Sequence, residues 1–159
     1  MPSMPVTLSP AVHAALDIEA SASNLRAADY ATRLIEDHLA KRGLLDEEVT
    51  EEINLARSLV DRAMHEALRI VEADEFRSSI TFDTIQSVSA DREWLQDYAK
   101  LVRDDPFKTG SPLKQTINQN LGYFIKKAVG GKSVVGPNGR PANVKVKGSI
   151  IQSYTPLAR

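Results

Sequence analysis

Val6 and Leu8 alternate with small or polar neighbours near the start of the chain, and a helical spacing takes over at Ser9-Pro10. Ser9 is a good N-cap, and Pro10 suits the first helical position, where its missing N–H costs nothing. Val12, Ala15, Leu16 and Ala20 recur at helical intervals until Ser21-Ala22-Ser23-Asn24. Asn24 can take the left-handed conformation that ends a helix. A second helix is predicted from about Arg26 to Arg42, with Ala27, Tyr30, Ala31, Leu34, Ile35, His38 and Leu39 on its apolar face and Gly43 as its stop. A strand over Met4–Leu8 has no second strand signal for dozens of residues after it. It either pairs with another molecule or is not a strand.

No proline or glycine occurs between Asp46 and about Phe76. Val49, Ile53, Ala56, Val60, Ala63, Ala67 and Ile70 are spaced alternately by four and three, a heptad seam. The first expectation is a parallel coiled coil, with a helix packed on its own chain through Leu55, Leu59 and Leu68 as the alternative. Ile80 and Phe82 in "RSSITFDTI" suit a strand or a turn into a short helix. Ser89 is then expected to cap a helix carrying Trp94, Leu95, Tyr98, Leu101 and Val102, with Trp94 and Tyr98 as core anchors, and "DDPFKTGSP" breaks it. Ser111 and Pro112 start a further helix with a stripe of Leu113, Ile117, Leu121, Phe124 and Ala128, ended by Gly130-Gly131. The residues after it read as two β-prone runs around Pro137-Asn138-Gly139, a hairpin, with "SIIQSY" supplying another strand.

Charge changes the picture where composition does not. The net charge is −1, yet residues 46–75 hold ten acids against three bases, and Pro106–Arg159 holds nine Lys or Arg with no Asp or Glu. Mixed signs would serve solubility better than such segregation. The chain has no cysteine, which removes disulfides, thiolate metal sites and cysteine nucleophiles together. Its three histidines, His13, His38 and His65, show no metal-ligand spacing, and His38 reads as a core or interface residue. No apolar run approaches a membrane span and no signal-peptide pattern opens the chain, so a cytoplasmic protein without membrane contact is expected.

A short strand, a helix, a tight break and a longer helix, carried by "PVTLSP", the Ser9 cap and "AADYATRLIEDHL", resemble the ribbon-helix-helix family of bacterial DNA-binding proteins over residues 4–43. The resemblance implies an obligate homodimer whose two N-terminal strands pair into an antiparallel ribbon for the DNA major groove. Val6 and Leu8 would then face the dimer core, leaving Ser3, Pro5 and Thr7 toward the groove. This departs from the usual ribbon, which offers Arg, Lys, Asn or Gln for bidentate base contacts. Asn24 and Arg26, at the start of the second helix, are placed to grip phosphate. The bland reading is a dimerisation module that has lost much of its DNA face.

The helix after Ser111 presents Gln115, Gln119, Gly122 and Lys126 opposite its apolar stripe, flanked by Asn118 and Tyr123. Gln and Asn can pair with adenine, and Lys132, Arg140, Lys145 and Lys147 suit phosphate contact. The expected architecture is therefore mainly α with short β elements: a ribbon-helix-helix over 1–45, an acidic helical linker or coiled coil over 46–77, and a basic α+β module, similar to a winged helix, over 78–159. "GGKS" at Gly130–Ser133 lacks the earlier glycine and the strand-loop-helix order of a phosphate-binding loop. No nucleophile, base and acid form a constellation and no cofactor is implied, so an enzyme is not expected. The function expected is a dimeric DNA-binding regulator. The alternative is an antitoxin-like protein whose C-terminal part binds a partner toxin.

Overall fold

A computed structural model of the chain describes residues 2–159 and contains six helices and four two-residue strands in that range. The protein is mainly α with short antiparallel β elements. It divides into two compact units, residues 1–47 and 48–159. Among the described residues, no helix is long and apolar enough to cross a membrane.

The first unit is a helical hairpin of α1 (Pro10–Ala22) and α2 (Ala27–Lys41). The Ser9 hydroxyl accepts from the Val12 N–H at 3.5 Å, the cap expected from the sequence. Asn24 takes a φ of +54°, with its N–H on the Ser21 carbonyl and that of Leu25 on the Ala20 carbonyl. This is a Schellman ending, and Ala20 and Leu25, the positions that such an ending brings together, are the buried hydrophobic residues of the unit among those described. Gly43, at φ +66°, closes α2 in the same way, with Gly43 and Leu44 donating to Ala40 and Leu39. Residues 2–9 form no strand within the chain, and Val6 and Leu8 are 61% and 38% exposed. His38, expected in a core or interface, is exposed in the single chain.

The second unit has a core of its own. From Glu48 onward, α3 (Glu47–Asp74) belongs to it, and Leu59, Ala63 and Ala67 are buried in one cluster with Trp94, Tyr98, Leu121, Ile125 and Ile150. The helix is thus neither a free linker nor, on this face, a seam for another chain. Five seam residues face this core, Ala63 and Ala67 buried in it and Ala56, Val60 and Ile70 packed against it, with Leu59 buried beside them off the seam. The Leu59 carbonyl accepts from the Trp94 indole N–H at 3.2 Å, and the helix packs on its own chain, the alternative the sequence allowed. Leu55 adds to that contact, whereas Leu68 is half-buried.

The segment around Ile80 and Phe82 is helical, α4 (Ile80–Ala90), because Ile80, Thr84, Ile85 and Val88 bury one helical face. The cap of α5 (Arg92–Val102) is Asp91, whose carboxylate accepts from the Trp94 N–H at 2.7 Å, and not Ser89, which lies in the last turn of α4. Trp94 and Tyr98 are the core anchors expected, 1% and 0% exposed and stacked with ring centroids 5.5 Å apart.

Ser111 caps α6 (Pro112–Ala128) as expected. Gly130, at φ +64°, and Gly131 end it, donating to the Lys127 and Lys126 carbonyls. The buried stripe of α6 is rotated from the expected one: Lys114, Leu121 and Ile125 are buried, while Leu113 is exposed and Phe124 half-buried.

Four short strands follow: β1 (Lys132–Ser133), β2 (Val144–Lys145), β3 (Ser153–Tyr154) and β4 (Leu157–Ala158). They pair as β1 with β4 and β2 with β3, both antiparallel. The Pro137-Asn138-Gly139 turn forms, closed by Gly136 N–H on the Arg140 carbonyl and by a bridge between Val135 and Pro141. Its arms do not extend into a long hairpin. Pro141 has no N–H to donate, and the flanking residues pair instead with the last residues of the chain.

Candidate functional site

Two features of the second unit meet at α6 and the strands after it. The first is a set of cations without carboxylate partners. Earlier in the unit several basic side chains are matched, Arg62 with Asp97 at 2.7 Å, Arg69 with Glu66 at 2.7 Å, Arg103 with Glu52 at 3.5 Å and Lys108 with Asp104 at 3.1 Å, while Arg77 and Arg92 are exposed and have no ion-pair partner among the described residues. Among the described residues, Lys127, Lys132, Arg140, Lys145 and Lys147 have no ion-pair partner, and all are exposed. Lys132 stands on β1 opposite Ala158, Lys145 on β2 opposite Ser153, and Arg140 at the end of the Gly136–Arg140 turn. Lys147 follows β2, where Val146 donates to the Gln152 carbonyl. Short paired segments hold these positions, while their long side chains reach solvent.

The second feature is a cleft of about 730 Å³ between the polar face of α6 and the segment Ile150–Thr155. Gln115, Gln119, Gly122, Tyr123 and Lys126 line one wall, so the polar face expected to read DNA flanks a concave surface. Two lysines and no Asp or Glu are among the lining residues. Lys126 Nζ donates to the Ser133 hydroxyl at 3.3 Å. Lys114, 7% exposed, donates to the Lys108 carbonyl at 2.7 Å and also to the Pro106 carbonyl. Burial lowers its pKa, and Asp105 and Asp104 oppose that shift. It holds the loop before α6 in place.

Asn118 lines the cleft too, and its amide is also tied into the unit. Its amide oxygen accepts from the Tyr98 hydroxyl at 2.7 Å, and its amide nitrogen donates to the Ile150 carbonyl at 3.3 Å. Each end of the amide makes one contact inside the unit, which fixes its orientation. Hydrophobic spacing does not signal this, because the apolar stripe it marks on α6 is rotated from the buried one.

In the first unit, Ser3, Thr7, Asn24 and Arg26 are all exposed. Arg26 is paired with Asp29 at 2.9 Å, which competes with a phosphate for the guanidinium. The structure therefore groups Gln115, Gln119 and Lys126 along one wall, scatters Lys132, Arg140, Lys145 and Lys147 over the strands and loops beyond it, and leaves the N-terminal candidates in a different unit. Lining positions contributed by the last residues, such as Asn143 and Tyr154, carried no sequence signal, since they reach the cleft only through the β1–β4 and β2–β3 pairings. Comparison of the chain with protein-family models, with curated proteins and with solved structures finds no match.

Proposed function

We propose that the protein is a homodimeric DNA-binding protein, a regulator in which the first unit joins two copies and the second supplies most of the phosphate contact. The observation that carries this reading is the group of exposed cations without ion-pair partners, Lys127, Lys132, Arg140, Lys145 and Lys147. A protein that neutralises phosphates releases condensed counterions, so five such side chains favour a polyanion over a neutral partner. Support for the homodimer comes from the first unit, which buries only Ala20 and Leu25 and leaves Val6, Leu8, Val12, Ile18, Leu34 and Ile35 exposed. A ribbon-helix-helix arrangement would cover Val6 and Leu8 with the equivalent residues of a second chain. The cleft favours backbone contact by the strands over major-groove reading by α6, because a recognition helix must protrude.

The antitoxin alternative draws less support. A segment that masks a toxin commonly orders on binding, whereas residues 48–159 carry a continuous core.

Fluorescence anisotropy of the full-length protein with duplex DNA, at low and at moderate salt, tests the reading. Binding with a steep fall in log affinity against log salt is expected. Absence of binding at low salt refutes it.

A further inference from the structure

Gly122 lies in the interior of α6 at a helical φ, where glycine is a poor helix former. A glycine at such a place ordinarily serves close packing. Packing does not require it here: a Cβ at Gly122 would meet only the Thr81 methyl at 3.9 Å, an ordinary contact distance. The residue faces the cleft. What its missing side chain leaves open is therefore room inside the cleft.

The chemistry around that open floor is specific. Lys126 is one helical turn further on, and an ammonium has three N–H groups, of which the Ser133 contact uses one. With no carboxylate in the lining, the ammonium and the Ser133 hydroxyl form a place for a small anion. Gln119 lies seven residues before Lys126 on the same face, about 10 Å along the axis at 1.5 Å per residue. Its amide offers both a donor and an acceptor, as the edge of a heterocycle requires. Tyr123 and Tyr154 also line the space and are held in place, Tyr123 edge-on against Phe124 at 4.9 Å and Tyr154 stacked on Phe82 at 5.6 Å. Fixed aromatic rings favour a flat partner.

We propose that this cleft binds a nucleoside monophosphate unit, with the phosphate at Lys126 and Ser133, the sugar over Gly122, and the base near Gln119 and the tyrosines. The spacing suits a phosphate and a heterocycle joined by a pentose, and the volume lies within the range of small-ligand sites. The unit comes either as a free mononucleotide or as one nucleotide of a single strand. The site is separate from Lys127, Lys132, Arg140, Lys145 and Lys147, none of which lines the cleft, and it does not depend on duplex binding.

Isothermal titration of the full-length protein with the four deoxynucleoside 5′-monophosphates, the matching nucleosides, inorganic phosphate and a short single-stranded oligonucleotide tests it. At least one monophosphate or the oligonucleotide is expected to bind in the sub-millimolar range, with the nucleoside and inorganic phosphate weaker by about tenfold or more. Monophosphate binding identifies the free source; binding of the oligonucleotide alone identifies the strand. Lys126→Met should weaken binding by a similar factor. Gly122→Ala is the decisive variant, because it should raise the melting temperature while weakening the same ligand. A loss of affinity in a more stable protein is not misfolding. No binding by any nucleotide probe at millimolar concentration, inorganic phosphate binding as tightly as the monophosphates, or Gly122→Ala melting higher with unchanged affinity would each overturn the proposal.

Discussion

The contact between Tyr98 and Asn118 ties α5 to α6, and its energy can be isolated. Tyr98 is fully buried, and its hydroxyl donates to the Asn118 amide oxygen at 2.7 Å. Tyr98→Phe keeps the ring stack on Trp94 and removes only the donor, leaving the amide oxygen without its partner. The expected cost is about 1–2 kcal/mol, a net hydrogen bond plus part of a desolvation penalty. Asn118→Leu leaves the Tyr98 hydroxyl without its acceptor and also removes the donor to the Ile150 carbonyl, for about 2–3 kcal/mol. Once the hydroxyl is gone, Asn118→Leu strands nothing on Tyr98. The double variant should therefore be more stable than the summed single costs imply, by about 1–2 kcal/mol. The loss at Ile150 is common to Asn118→Leu and to the double variant, and cancels in the cycle. Urea unfolding at equilibrium measures all four proteins. Trp94 is the sole tryptophan and is buried in the second unit, so its fluorescence reports that unit alone. Single costs that add to within about 0.5 kcal/mol would show that the two groups do not interact.

Other outcomes follow from the same structure. Burial pushes the Tyr98 phenol above its ordinary value of 10, so above that pH the unfolded chain releases a proton that the folded chain retains. Its contribution to stability is intact at lower pH and falls as pH rises beyond the unfolded value, with a limiting slope of about 1.4 kcal/mol per pH unit. Tyr98→Phe should lose that slope in alkaline urea titrations, and parallel curves for the two proteins would refute it; any contribution from Lys114 is shared by both. For the first unit, Leu8→Asp should convert a dimer to a monomer in sedimentation velocity at micromolar concentration, and a wild-type monomer defeats the dimer reading. Replacing Lys132, Lys145 and Lys147 together by Gln should lower the salt slope of duplex binding by about 0.9 for each phosphate that the variant no longer neutralises. An unchanged slope places the phosphate-binding surface elsewhere.

The helix ends were the most legible part of the sequence, because they depend on local chemistry. Asn24, Gly43 and Gly130 each stand at a left-handed position, and Ser9 and Ser111 cap as their hydroxyls suggest. Periodicity was legible for the existence of α3 and α6 and for most of the inward face of α3, but not for what α3 packs against or for the direction α6 faces. On α3 the four-three spacing marks Ala56, Val60, Ala63, Ala67 and Ile70, all in or against the core, but does not say that the core belongs to the same chain. On α6 a lysine is among the buried residues, since Lys114 satisfies its ammonium with carbonyls of a preceding loop. A hydrophobicity pattern counts that position as outward. Of the cleft only the polar face of α6 was legible, as Gln115, Gln119, Gly122 and Lys126 read for DNA; that it lines a concavity depends on pairing between residues about ten to twenty-five apart, which local pattern does not encode.

The two units solve the burial of apolar surface in opposite ways, and that contrast bears on what each can do. Residues 48–159 enclose Trp94, Tyr98, Leu121 and Ile125 within one chain, so their surface is left for polar work: cations on the strands and amides along the cleft. The hairpin of α1 and α2 is too short to enclose a core, and its buried hydrophobic residues are Ala20 in the last turn of α1 and Leu25 just after it. Its side chains at Val6, Leu8, Leu34 and Ile35 are the kind that cores are made of, and the hairpin itself leaves them exposed. Stability of such a unit is inseparable from whatever covers it. Doubling of the chain through the hairpin would bring two copies of the cationic surface onto one duplex, and linkage raises the effective affinity of each without a new contact. The weak base-reading chemistry of Ser3 and Thr7 is then no obstacle to binding, because the first unit need only hold the pair together while the second meets the phosphates.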